Sequence, residues 1–413
     1  MKNKLLTTAL LLLCFATNGQ DEEGHFLKDA KTGCTVWYKH TFPEDSASWI
    51  GPCKSGFASG NGTLTGFTKG VPTSRYVGNM HNGKPHGTGS FTFGETRKLQ
   101  GNFSNGEPLF LSEDCLKHLH KQVVSETDSA EMYNGDNNLK QLYYHALIPD
   151  GAIKGVLVLM PGTWETTEHL LSSTQTLCEM AYANHLAVLA LSINQRLTLT
   201  DATVSLINKL LNDALHRYSL PKNKLVMGGW SMGGLFSLRY TELANQDSSK
   251  TAVKPAAVFS CDGPCDLENI YDLFQLKLKK FPSNGEAAYG VREMEKYCGG
   301  SPDNVKEKYV YYSCYSHHLP DGGNARYLAK TPVRIYGDVD VNWWMDNRGL
   351  DLYSMNALDQ SAMILCLKEQ GNKKAEFINA YQKGYRIEGN RHPHSWSIIE
   401  PNDCMQWILG VIK

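Results

Sequence analysis

Lys224-Leu225-Val226-Met227-Gly228-Gly229-Trp230-Ser231-Met232-Gly233-Gly234-Leu235 is the stretch from which the rest of the chain can be read. A short apolar run, 225–229, ends in Gly-Trp-Ser-Met-Gly, and a helix-compatible segment, 235–243, follows at once. A G-x-S-x-G pattern at a strand-to-helix turn holds its serine in a tight, strained backbone position with the hydroxyl clear of the sheet. Bulky side chains two residues before and after would collide with that turn, so glycine suits positions 229 and 233. Ser231 is the candidate nucleophile. A serine hydroxyl also needs a base, a group that orients the base, and donors for a developing oxyanion.

Outward from this stretch, apolar runs at 155–160 and 185–193 predict strands covered on both faces, and 256–260 and 333–336 predict shorter ones. Residues 138–149 and 375–382 predict a strand at each end of the region. Helical spacing of Val204, Ile207, Leu211, Ala214 and Tyr218 predicts a helix over 202–218, capped by Asp201. Helices are also predicted over 267–280, 352–367 and 403–411. Alternating strands and helices predict a mostly parallel sheet with crossover helices, an α/β fold. Residues 264–330 are too long for a simple connection and predict a cap insert over the site.

Two stretches after the serine could supply an acid and a base. In 332–340 a buried strand ends at Gly337 and delivers Asp338 and Asp340 at its C-terminal edge, where sites in parallel sheets form. Asp340 is the expected acid and Asp338 the alternative. In Gly389-Asn390-Arg391-His392-Pro393-His394-Ser395-Trp396 both histidines precede the last helix. His394 is the expected base, with His392 as the alternative. The backbone N–H of Met232 is one expected oxyanion donor. The N–H of Thr163, in the Met160-Pro161-Gly162-Thr163-Trp164 loop after the first buried strand, is the other. Trp164, Trp230 and Trp343 sit beside these segments and are candidate substrate contacts. Trp344 and Trp396 lie nearby, and all of these are equally suited to a core.

This ordered set resembles the α/β-hydrolase-fold serine hydrolases over 110–413. In that family an acid and then a histidine follow the G-x-S-x-G serine, and a His-Gly-x turn, here with Pro161 in place of histidine, supplies an oxyanion donor. The resemblance implies a cofactor-free acyl-enzyme mechanism at Ser231, His394 and Asp340. The expected substrate is a small-molecule or glycan-linked carboxylic ester. A peptidase of the same fold, and an inert envelope binding protein, are the alternatives. No Cys/His spacing resembles a zinc site, and no metal or cofactor is expected.

The chain has 413 residues, 41% hydrophobic and 20% charged, with a formal net charge of -1. That balance gives no reason to expect a nucleic-acid partner. Lys2 and Lys4, an apolar run over 5–15 and small residues to 19 read as a secretory signal, so the chain is expected in the periplasm or outside the cell. Lipid anchoring at Cys14 is disfavoured by Leu13. An exported chain can form disulfides. Cys34 with Cys53, and Cys261 with Cys265 or Cys298 with Cys314, are close enough in sequence to pair, and the pairing stays open.

After a linker or first strand at 20–48, residues 49–109 repeat themselves. Tyr76-Val77-Gly78, then Asn82-Gly83, then Gly87-Thr88-Gly89 and Phe91 form one copy. Trp49-Ile50-Gly51 opens a looser one and Leu99-Gln100-Gly101 a partial third. The same offset separates Gly78 from Gly101 and Gly83 from Gly106. Alternating aromatics and turn glycines at a fixed period predict stacked β-hairpins. These residues resemble MORN repeats, a family associated with protein or lipid contacts.

Overall fold

The computed structural model describes residues 25–38, 45–93, 97–125 and 141–413; the expected leader at 1–19 lies outside them. Its centre is an eight-stranded sheet. Its strands are β1 (Leu119–Ser125), β2 (Leu142–Leu147), β3 (Gly155–Met160), β4 (Leu186–Leu191), β5 (Leu225–Trp230), β6 (Ala257–Cys261), β7 (Val333–Gly337) and β8 (Ala375–Asn379). They lie in the order β1-β2-β4-β3-β5-β6-β7-β8. β2 runs antiparallel to β1 and β4, and the rest of the sheet is parallel.

Every residue of β2 through β7 is buried, which is why β3, β4 and β5 read as continuous apolar runs. Alternate side chains go to opposite faces. Val156, Val158 and Met160 enter one core with α4 (Asp201–Arg217), α5 (Met232–Gln246) and α10 (Ala357–Glu369). Leu157 and Leu159 enter the other, with α1 (Glu113–Lys117), α2 (Thr167–Ser173), α3 (Gln175–Ala183) and α11 (Pro401–Val411). This is a mostly parallel sheet with helices on both faces, an α/β fold. Between β6 and β7 the insert forms α6 (Leu267–Lys280), α7 (Gly285–Cys298) and α8 (Pro302–Tyr312). After β7 comes α9 (Val341–Arg348), none of whose residues is buried.

Some boundaries differ from the sequence reading. Thr200, one residue earlier than expected, caps α4: its side chain accepts from Thr203 N–H. The helix expected from 352 begins at Ala357, because Leu352–Ser354 is a 3₁₀ turn capped by Asp351.

The N-terminal module is a six-stranded antiparallel sheet beside a four-stranded one. Among the described residues its hairpins turn on Ser55-Gly56, Lys69-Gly70, Asn82-Gly83 and Asn105-Gly106, each with both central residues at positive φ, as a two-residue turn between twisted strands requires. The repeat has a steric basis. A Cβ on Gly78 or Gly89 would lie 2.6 Å or 2.3 Å from the Tyr76 hydroxyl. One on Gly51 or Gly62 would lie 2.4 Å from the Trp49 ring. Tyr76 covers two glycines paired across a hairpin, and Trp49 covers Gly51 and Gly62. Cys34 and Cys53 form a disulfide, while Cys261, Cys265, Cys298 and Cys314 are free thiols. The module's last strand (Glu107–Leu109) meets α2, where Ser172 Oγ donates to Pro108 O at 2.8 Å and accepts from Phe110 N–H at 3.0 Å.

Candidate active site

The sheet register pairs Met160 with Gly229, Trp230 with Cys261, and Cys261 with Tyr336. The residues that follow each strand therefore emerge together at one edge. Ser231 has φ 54° and ψ -127°, a strained conformation for a residue with a Cβ, and its N–H donates to Cys261 O at 2.9 Å. A Cβ on Gly229 would lie 2.2 Å from Gly233 O, and one on Gly233 would lie 2.3 Å from Met160 O and 2.4 Å from Pro161 O. Both glycines are thus obligatory, and the turn at Ser231 is pressed against the loop after β3.

That loop's N–H groups can be accounted for one by one. Pro161 has none. Gly162 N–H donates to Glu165 Oε2 at 3.0 Å, Trp164 N–H to Asn194 O at 2.8 Å, and Glu165 N–H to Gly162 O at 3.1 Å. Among the described residues Thr163 N–H has no acceptor, and neither has Met232 N–H at the start of α5. Gly162 is also required, since a Cβ there would fall 2.3 Å from the Trp230 ring.

His394 stands above the same edge, with its ring centroid 4.9 Å from that of Trp230. Its Nδ1 donates to Asp262 Oδ2 at 2.6 Å, which fixes the tautomer and leaves Nε2 to accept. Asp262 directly follows β6. It has φ 48°, and a Cβ on its neighbour Gly263 would lie 2.6 Å from Ser231 O. Asp262 is held from three sides: its N–H donates to Tyr336 O at 2.8 Å, its carbonyl accepts from Asn356 Nδ2 at 2.8 Å, and Oδ1 accepts from Gln360 Nε2 at 3.3 Å.

The carboxylate on His394 is thus Asp262, which the sequence reading missed, in place of Asp340. Asp340 caps α9 through Trp343 N–H at 3.1 Å and pairs with Arg391 Nη2 at 2.9 Å. Asp338 accepts from Gln382 N–H, Gly384 N–H and the same Arg391 nitrogen at 2.8 Å, 2.9 Å and 2.8 Å. Both aspartates bracket the histidine loop through Arg391. The available signal for Asp262 was a carboxylate beside a glycine at the end of a buried strand, one strand earlier than the stretch singled out.

His392 packs its ring 4.8 Å from that of Trp343, and its Nδ1 accepts from His394 N–H at 3.2 Å. Burial, then the nearby Arg386, lowers its pKa to about 2, so it stays neutral. Trp230 is buried between Gly162 and His394, with Arg386 4.9 Å from its ring. Trp164, at φ 60°, lies 4.7 Å from Tyr289 of α7, and Trp343 lies on α9. The candidate tryptophans therefore divide: Trp230 packs on His394 itself, while Trp164 packs against Tyr289 of the insert and Trp343 against His392. Among the described residues no cluster of His, Cys, Asp and Glu could hold a metal ion.

No family model and no curated protein matches the sequence. Solved structures do resemble it. Carboxyl esterase 2 from Tuber melanosporum is 14% identical, with a TM-score of 0.45 over 74% of this chain and 88% of that one. An S-formylglutathione hydrolase from Agrobacterium tumefaciens is 10% identical, with a TM-score of 0.43 over 71% and 95%. A fluorophosphonate-binding serine hydrolase from Staphylococcus aureus is 12% identical, with a TM-score of 0.43 over 71% and 98%.

Proposed function

We propose that the chain is an exported serine hydrolase that cleaves a carboxylic ester through an acyl-enzyme. The observation that carries this reading is the convergence at one sheet edge of a strained serine, a hydrogen-bonded Asp–His pair and two N–H groups without acceptors. His394 Nε2 takes the proton as Ser231 Oγ attacks the ester carbonyl. Asp262 orients His394 and stabilises its cationic form. The N–H groups of Thr163 and Met232 receive the oxyanion, where one such donor is worth about 10²–10³ in rate. The proton passes from His394 to the leaving alcohol. Water, activated by the same histidine, then releases the acid and restores Ser231.

The aromatic pairs Trp164–Tyr289 and Trp343–His392 suit a substrate with a flat or sugar-like group. Export is supported by the leader-like first residues and by the Cys34–Cys53 disulfide. The hairpin module, whose aromatic-over-glycine repeat supports the MORN-like reading, is proposed as a platform for protein or lipid contacts. A fluorophosphonate probe tests the chemistry. Labelling of the purified protein that disappears in Ser231→Ala is expected, and labelling that persists would refute the nucleophile. Faster turnover of aminoacyl amides than of short p-nitrophenyl esters would make it a peptidase instead.

A further inference from the structure

Glu165 is 6% exposed and lies three residues after the loop glycine. A carboxylate is costly to bury unless donors surround it, and this one has donors from three separate segments. Oε2 accepts from Gly162 N–H at 3.0 Å. Trp396 Nε1 donates at 2.8 Å to Oε1 and approaches Oε2 at 3.1 Å. His169 Nδ1, on α2, lies 3.0 Å from Oε1. The Glu165 carbonyl also accepts from Asn194 Nδ2 at 2.7 Å, and Asn194 O holds Trp164 N–H.

One side chain therefore ties the loop that carries Thr163 to the segment that carries His394, two residues before Trp396. By occupying Gly162 N–H, it leaves Thr163 N–H as the loop donor that can turn to the substrate. We propose that Glu165 is a positioning residue that holds the oxyanion donor in register with the catalytic histidine. It touches no reacting atom and acts through Gly162 and Trp396. The proposal rests on the serine-hydrolase reading above.

The test compares Glu165→Gln and Trp396→Phe, singly and together, in the full chain. Trp396→Phe removes the indole donor and keeps an aromatic ring, so it carries the test if the glutamine variant does not fold. With near-UV circular dichroism unchanged, each single variant is expected to lose about 10²-fold in kcat on a p-nitrophenyl ester, as misplacement of a reacting group by about 1 Å would cause. KM should stay within about twofold, because an interaction felt only in the transition state is lost. The double variant should lose little more than the worse single variant, since both act through one contact. Wild-type kcat in both single variants, a loss confined to KM, or losses that multiply in the double variant would overturn the proposal while Ser231-dependent labelling of the wild type left the underlying reading intact. Absence of that labelling would remove both.

Discussion

Asp262 and Asp340 stand at the ends of neighbouring strands, and their substitutions are expected to separate cleanly. Asp262→Asn should lower kcat by about 10⁴-fold with the fold retained, because the histidine loses the partner that fixes its tautomer. Asp340→Asn should leave kcat within about tenfold and lower the melting temperature instead, since it loosens Arg391 and the α9 cap. Steady-state kinetics and thermal unfolding of the two proteins check this. His392 makes a second prediction. Its folded pKa is depressed, so below its ordinary value of 6.5 the unfolded chain takes up a proton that the folded chain refuses down to about 2. That contribution to stability is whole above about pH 6.5 and is lost as the pH falls through that window. In His392→Gln, the drop in melting temperature between about pH 7.5 and pH 5 should be smaller than in the wild type. The elbow glycines are legible in the sequence because their requirement is local: the collisions they avoid lie within the turn and the adjoining loop. The acid is not legible, since two strands both end in aspartate beside glycine. What decides between them is Arg391, three residues before His394, which claims Asp338 and Asp340 for itself.

At the scale of elements, the strands were the easiest to read. Burial on both faces leaves an unbroken apolar run, and β3, β4 and β5 are such runs. α9 could not be read, because a helix with no buried residue has no apolar period to show. The start of α4 shows how a cap misleads: Asp201 and Thr200 are both good capping residues, and the one whose side chain reaches Thr203 N–H is the threonine. Thr200→Ala should cost about 1 kcal/mol in chemical denaturation, and Asp201→Ala less. α7 brings Tyr289 against Trp164, and the tyrosine hydroxyl donates to Gln195 O at 2.6 Å. Tyr289→Ala is expected to raise KM for bulky esters severalfold while the probe labels Ser231 at close to the wild-type rate. Equal KM across ester sizes would show that the insert plays no part in substrate contact.

For the whole molecule, the core is divided between the two faces of the large sheet, and the hairpin module adds a third, smaller core around Trp49, Leu64, Tyr76 and Phe103. A small core gains most from a covalent tie. Replacing Cys34 and Cys53 by serine should destabilise the module by roughly 3 kcal/mol, the scale for a loop of this length. Limited proteolysis should then cut within residues 25–109 before the rest of the chain. The position of Asp262 has a consequence for how such a protein can change. The chain enters the insert two residues after Asp262, yet Asp262 is already moored to Tyr336, Asn356 and Gln360, all outside the insert. Those moorings work as a bulkhead. The insert can lengthen, shorten or be exchanged while the carboxylate on His394 keeps its place.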